Sequence, residues 1–121
     1  MEIKLPKKID KGWGCELVFV NNQLYCGKIL MINKGCEGSM HFHMNKTETW
    51  LLHSGTLRIS TINPTTSQNE TAMMYAGETL HIPVGMVHKM VAVEASVIFE
   101  VSTKHEDSDT YRISPGNSQN K

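Results

Sequence analysis

GCEGSMHFHMNKTETWLLHSG (residues 35–55) and GETLHIPVGMVH (residues 77–88) decide how this chain folds. The first stretch places His41 and His43 two residues apart, with Glu48 five residues further on. On a β-strand, residues i and i+2 project from the same face about 7 Å apart at the backbone, so the two imidazoles can reach one ion. Glu48 and His88 can join them only if other strands carry them across. That requirement predicts a closed or sandwiched β-fold.

The surrounding sequence agrees. Cys15–Val20 and Leu24–Asn33 are β-rich runs, and Asn21-Asn22 between them reads as a hairpin turn. Glu48, Trp50 and Leu52 share one strand face, while Thr49, Leu51 and His53 share the other. Further strands fit Thr56–Ile62, Thr71–Tyr75, Thr79–Ile82, His88–Val93 and Ser96–Ser102, with an exposed loop over PTTSQNE (64–70). Seven to nine short strands, on the order of one domain's worth, predict an all-β sandwich or barrel. A single domain is expected over residues 1–113, and the polar stretch 114–121 reads as a frayed tail.

Composition narrows the setting. The 121 residues suffice for one core. Lys+Arg and Asp+Glu are equal at 12 each, so no net field draws the chain to nucleic acid or a membrane. No apolar run has the length of a membrane span, and the opening MEIKLPKKID lacks a signal-peptide core. Cys15, Cys26 and Cys36 have no zinc-type pairing and are expected as reduced thiols in the cytosol.

Three neutral imidazoles and a carboxylate make a borderline-soft donor set. It suits a divalent transition metal (Mn, Fe, Co, Ni, Cu or Zn) better than Ca or Mg. Four protein donors that do not enclose the ion leave room for water or substrate, as Lewis-acid or redox chemistry requires. The bland alternative is three core histidines hydrogen-bonded around Glu48.

The two stretches resemble the paired motifs of the cupin superfamily. G-x5-H-x-H-x4-E-x6-G is met at Gly35, His41, His43, Glu48 and Gly55, and G-x5-P-x-G-x2-H at Gly77, Pro83, Gly85 and His88. The second motif closes on Ala92 where the superfamily has Asn. The flanks are similar to single-domain cupins of the mannose-6-phosphate isomerase-like group, related to the C-terminal domain of type II phosphomannose isomerases. Lys11-Gly12-Trp13-Gly14 resembles that group's opening, Glu48-Thr49-Trp50 its Glu-His-Trp element, and Glu100 through Arg112 its closing acidic run. The resemblance implies a small β-barrel or double-stranded β-helix (jelly roll), metal between two sheets, and a metal-dependent isomerase of a carbohydrate or sugar phosphate. It departs at Met44-Asn45-Lys46-Thr47, where the group carries basic residues straight after the paired histidines. With only Arg58 and Arg112, a bidentate phosphate clamp is thinly supplied, which favours an unphosphorylated carbohydrate. These residues include no nucleotidyltransferase segment, so sugar-nucleotide synthesis is not expected.

Strand parity supplies the other candidates. Lys28 shares a face with Leu30 and Ile32, so it points inward to a carboxylate or anion, or else snorkels at a sheet edge. Glu100, beside Ile98 and Phe99, is a partner for Lys28 or a general base. The resemblance places His105 and Arg112 at the cavity, His105 as a second acid–base group and Arg112 on substrate. Trp13 and Trp50 read as core, Trp50 being the better cavity candidate for substrate contact. His53 and His81 read as surface. Three function classes stay open: a sugar isomerase, a metal-dependent dioxygenase, and a non-catalytic sugar-binding module. Outward Leu51 with Phe42 and Met40 would form an apolar patch that a homodimer, with or without exchanged N-terminal strands, would cover.

Overall fold

In the computed structural model, which describes residues 1–120, the chain forms two antiparallel sheets facing one another. One holds β1 (Lys7–Lys11), β2 (Gly14–Asn21), β3 (Cys26–Ile32), β10 (Ser96–Ser102), β5 (Glu48–Ser54) and β8 (Thr79–Ile82), in that order. The other holds β11 (Tyr111–Ser114), β4 (Met40–Phe42), β9 (His88–Ala92), β6 (Thr56–Ile62) and β7 (Asn69–Tyr75). One turn of 3-10 helix spans Asp107–Asp109. The fold is the cupin jelly roll that the sequence motifs imply. No helix among the described residues is long and apolar enough to cross a membrane.

Register sorts the inner face of the first sheet into rows. Leu30, Ile98 and Leu52 stand opposite one another across β3, β10 and β5, and form the floor of the core with Leu57, Ile59 and Met90 from the other sheet. One row along, Lys28, Glu100 and Trp50 are cross-strand partners. One end of the sandwich is therefore apolar and the other charged, from the same three strands. Polarity changes at a step of two residues because that step keeps the side chain on the same face.

The chain passes between sheets at Gly55, where β5 gives way to β6. Its φ is +95°, and a Cβ there would meet the backbone oxygen of Ala95, so the crossing requires glycine.

Several expectations change. The hairpin turn runs Asn22–Tyr25, with the Asn22 side chain accepting from Leu24 and Tyr25 N–H, so β3 begins at Cys26 instead of residue 24. Strand β1 has one apolar residue and the alternation of β11 spans only four residues, so both rest on tertiary pairing with β2 and β4. The patch expected from Leu51, Phe42 and Met40 divides. Leu51 lies on the outer face of the first sheet near exposed Phe99 and Val101, whereas half-buried Phe42 is in the second sheet, its ring stacked on Tyr111. Nor are residues 114–120 a frayed tail, Lys121 lying outside the described residues. Gly116 is buried, and Asn117 exchanges two hydrogen bonds with the backbone of Glu37.

Ile98 is fully buried in the central strand of its row. Ile98→Ala is expected to lower unfolding free energy by about 2–5 kcal/mol in denaturant titration while leaving metal content intact. A loss below about 1 kcal/mol would place the core elsewhere.

Candidate metal centre

His41 on β4 and His88 on β9 are direct cross-strand partners, and His43 follows β4 immediately. Their ring centroids lie 4.4–5.7 Å apart, and one nitrogen from each falls within 4.8 Å of the others. A β-strand carrying the His41/His43 pair beside β9 produces this cluster, and the parity reading anticipates it. Glu48 arrives from the opposite sheet, with Oε2 3.3 Å from His43 Nε2. Glu48 thus sits at the edge of the three-histidine group instead of equally among four. All four line one cavity of about 390 Å³.

Each ring is held from behind. His41 Nδ1 lies 3.0 Å from the Ser39 carbonyl, His43 Nδ1 3.1 Å from the Asp109 carbonyl, and His88 Nδ1 2.9 Å from the Met86 carbonyl. A carbonyl can only accept, so each Nδ1 carries a proton, and in the neutral rings of His41 and His88 the Nε2 is left with a bare lone pair. Burial, reinforced by His88 and His43, lowers the His41 pKa to about 3. Burial also lowers His88. Among the described residues, Glu48 Oε2 and His88 Nε2 are buried side-chain atoms with no hydrogen-bond partner. Two buried acceptor atoms without a hydrogen bond, at one cavity, suit a cation. These residues fit a divalent transition metal.

The charges around the cluster point the same way. Trp50 Nε1 donates to Glu48 Oε1 at 2.7 Å and fixes that carboxylate. Lys46 Nζ sits 3.4 Å from Glu48 Oε2, 3.4 Å from Glu100 Oε2 and 3.0 Å from His105 Nδ1. Lys28 pairs with Glu16 at 3.6 Å. Three carboxylates thus face two ammoniums. Burial pushes Glu48 up, but the His43 ring and the Lys46 ammonium outweigh it and hold the carboxyl well below the ordinary range. Burial and the Glu48 charge push Glu100 up. The surplus negative charge can be met by a proton on Glu100 or by a bound cation.

The remaining candidates fall as follows. Glu100 and Lys28 are buried at the cavity, but they do not pair with each other. Lys46 takes Glu100, and Glu16 takes Lys28. His105 lines the cavity half-buried, its Nε2 2.9 Å from Asp107 Oδ1, and burial with Lys46 lowers its pKa. Trp50 is wall and anchor for Glu48 more than an open platform, being only 4% exposed. Arg112 is exposed at the mouth, opposite His41 in register. His53 and His81 are exposed, away from the cluster.

Sequence reasoning missed three residues. Lys46 lies in the segment read as a departure, yet it stands two residues before Glu48 and shares its inward direction. Glu16 is opposite Leu30 in register, a relation visible only once the hairpin is aligned. Asp109 had no local signal. Its buried carboxylate accepts from the backbone N–H of Met44, Asn45 and Lys46 while its carbonyl holds His43. Burial raises the Asp109 carboxyl, but these N–H groups prevail and hold it low.

The sequence profile of the family described as mannose-6-phosphate isomerase C-terminal matches residues 1–110. The chain belongs to that family, and it is a cupin. Comparison with curated protein sequences gives no match. Solved structures share the fold. The capsular polysaccharide assembling protein CapF from Staphylococcus aureus is 19% identical with a TM-score of 0.77, over 90% of this chain and 34% of that one. Oxalate decarboxylase from Bacillus subtilis is 14% identical with a TM-score of 0.76, over 89% and 30%. The chain therefore spans about one third of the length of these structures.

Two outcomes test this geometry. Asp109→Ala leaves three loop N–H groups without their acceptor and so loosens the Met44–Lys46 loop that continues from His43, although the carbonyl bonded to His43 Nδ1 remains. It should cost about 2–4 kcal/mol of stability and weaken metal binding about 10–100-fold by calorimetry. Acid should destabilise the metal-free protein. The folded His41 pKa, about 3, lies below the ordinary 6.5, so the unfolded chain binds more protons between those values. Stability should thus be complete above about pH 6.5 and decline as pH falls toward about 3, read from thermal unfolding at stepped pH.

Proposed function

We propose that the protein is a metal-dependent sugar isomerase in type, moving a proton between neighbouring carbons of a small carbonyl-bearing carbohydrate. The observation that carries this reading is one cavity that joins a histidine-rich donor cluster to a buried carboxyl, Glu100, whose proton affinity is raised. A divalent ion on His41, His43, His88 and Glu48 would supply Lewis acidity toward a carbonyl or hydroxyl oxygen. Mn(II) centres are described for the oxalate decarboxylase of Bacillus subtilis, which makes manganese the first ion to supply.

The chain's own residues then have separable tasks. Glu100 accepts the proton from one carbon and returns it to the next, while the hydroxyl proton crosses to the former carbonyl oxygen. A carboxylate whose proton affinity is raised by burial and by the Glu48 charge is a stronger base than an ordinary one. Lys46 holds Glu48 and Glu100 in fixed relation and keeps its charge, because the pull of those carboxylates exceeds the burial penalty. Trp50 anchors Glu48 Oε1, leaving Oε2 to face the donor cluster. His105, steadied by Asp107 and by its backbone clasp on Asn21, is the second acid–base group at the wall.

The test is aldose–ketose conversion by manganese-loaded protein without oxygen, with mannose and mannose 6-phosphate as first substrates. Glu100→Gln should retain metal and slow turnover by about 10²–10⁴-fold. His88→Ala should lose metal and turnover together. Turnover that requires oxygen would replace the isomerase reading with the dioxygenase one, and unchanged turnover in Glu100→Gln would move the base to His105.

A further inference from the structure

We infer that the outer face of the six-stranded sheet is the docking surface for a second copy of this chain, the two faces packing together across a twofold axis. An outer sheet face in contact with water ordinarily alternates to polar residues. The second sheet follows that rule with exposed Arg58, cross-strand from Met73 and Val91. The first sheet does not. Leu17, Ile29, Phe99 and Leu51 stand opposite one another across β2, β3, β10 and β5. Cys15, Met31 and Val97 form the adjoining row. In a third row Val101 faces Gly27, where a Cβ would collide with the Phe19 ring, so that ring covers β3 at this point. No outward position of β2, β3, β10, β5 or β8 carries a Lys, Arg, Asp or Glu.

Register makes these rows contiguous, and strand geometry gives their extent. Five strands about 4.8 Å apart, with runs of about five residues at about 3.4 Å each, give a face of roughly 400 Å². An exposed apolar area of that order on one chain marks a contact site. Its borders are polar, with the exposed Lys8–Asp10 ion pair on β1 and Thr79 with His81 on β8. An apolar centre inside a polar rim is the arrangement of a protein interface. A charge-free face gives a strongly basic or acidic partner nothing to recognise. It is matched by another sheet face about 10 Å away, which a second copy supplies by symmetry. A lipid surface is a poorer match, because Asp10 offsets Lys8 and the rim lacks the cationic excess that interfacial binding uses. A specific dimer buries about 800 Å² per copy, and the N-terminal arm supplies the remainder. Met1, Ile3 and Leu5 are exposed and lead into β1, the edge strand of the same sheet, while Glu2 and Lys4 between them pair with each other. Extended, such an arm is apolar along one side and spans up to about 20 Å, enough to lie along a copy packed on this face. The face is on the side of the sheet away from the cavity, so its test is independent of the reaction proposed.

The experiment is sedimentation equilibrium of the manganese-loaded full chain over a range of concentrations. The unaltered protein should show twice the chain mass at micromolar concentration. Phe99→Lys and Leu51→Lys, each placing a charge at the centre of the face, should raise the dissociation constant about 100-fold while manganese content and circular dichroism stay unchanged. Should either chain misfold, Val101→Lys, at the exposed end of the face, should still weaken the dimer about tenfold. Ile3→Ser with Leu5→Ser should weaken it by a similar factor, and Met73→Lys, on the outer face of the second sheet, should change nothing. An unaltered protein that is monomeric at every concentration would overturn the inference, as would a dimer that Met73→Lys breaks and Phe99→Lys and Val101→Lys leave intact. A monomer that binds uncharged lipid vesicles, and loses that binding in Val101→Lys, would overturn it too and assign the face to a membrane.

Discussion

Closing ionisable side chains between two sheets is the constraint on which the rest of this molecule depends. Lys28, Lys46, Glu48 and Glu100 are each at most 4% exposed. An unpaired charge in such a place costs several kcal/mol, so every neighbour is conscripted. Trp50 spends its indole N–H on Glu48, Glu16 turns inward for Lys28, and Lys46 divides itself between two carboxylates. The apolar row of Leu30, Ile98 and Leu52, one step along the same strands, supplies the burial that lets the sandwich carry this load.

The histidine cluster obeys the same rule by a different route. Burial favours the neutral form of His41 and His88, but each Nδ1 of the cluster must still find an acceptor. Three backbone carbonyls provide one each, and the donor lone pairs are consequently aimed before any ion arrives. Preorganisation of this kind lowers the ordering needed on binding. Asp109 ties the two systems together, since its carboxylate shapes the Met44–Lys46 loop and its carbonyl orients His43. The position of Lys46 and the aim of His43 therefore depend on one residue more than sixty positions away in sequence.

What the sequence made legible follows from where periodicity carries information. The alternation of Glu48, Trp50 and Leu52, and of Lys28, Leu30 and Ile32, reads directly as inward residues, because a step of two keeps the face. The His-x-His pair and its distant His88 likewise fix the cluster. Strands β1 and β11 were not legible, since KKIDK has a single apolar residue and the alternation in YRIS runs for only four residues, leaving both to gain their conformation from partners. Lys46 and Glu16 escaped for a related reason. A polar residue on an inner face looks like a surface residue until its opposite number is known, and Asp109 acts through a loop contact that no local motif records. The held C-terminal stretch, residues 114–120, escaped because polar composition with Gly and Pro is shared by frayed tails and by segments held through backbone contacts, and only the close approach of Gly12, Gly38 and Gly116 separates the two.

The charge count links the two ends of the cavity. At its floor, Glu16, Glu48 and Glu100 exceed Lys28 and Lys46 by one negative charge, whereas at its mouth Lys7, Lys11 and Arg112 form no ion pair among the described residues. A field of that shape favours a cation at the floor. A divalent ion at the floor would take up Glu48, leaving the Lys46 ammonium to Glu100 alone and favouring the ionised form of that carboxyl. Metal occupancy would then set the proton affinity of the proposed base through Lys46. The same lysine that stabilises the metal-free cavity would tune the loaded one.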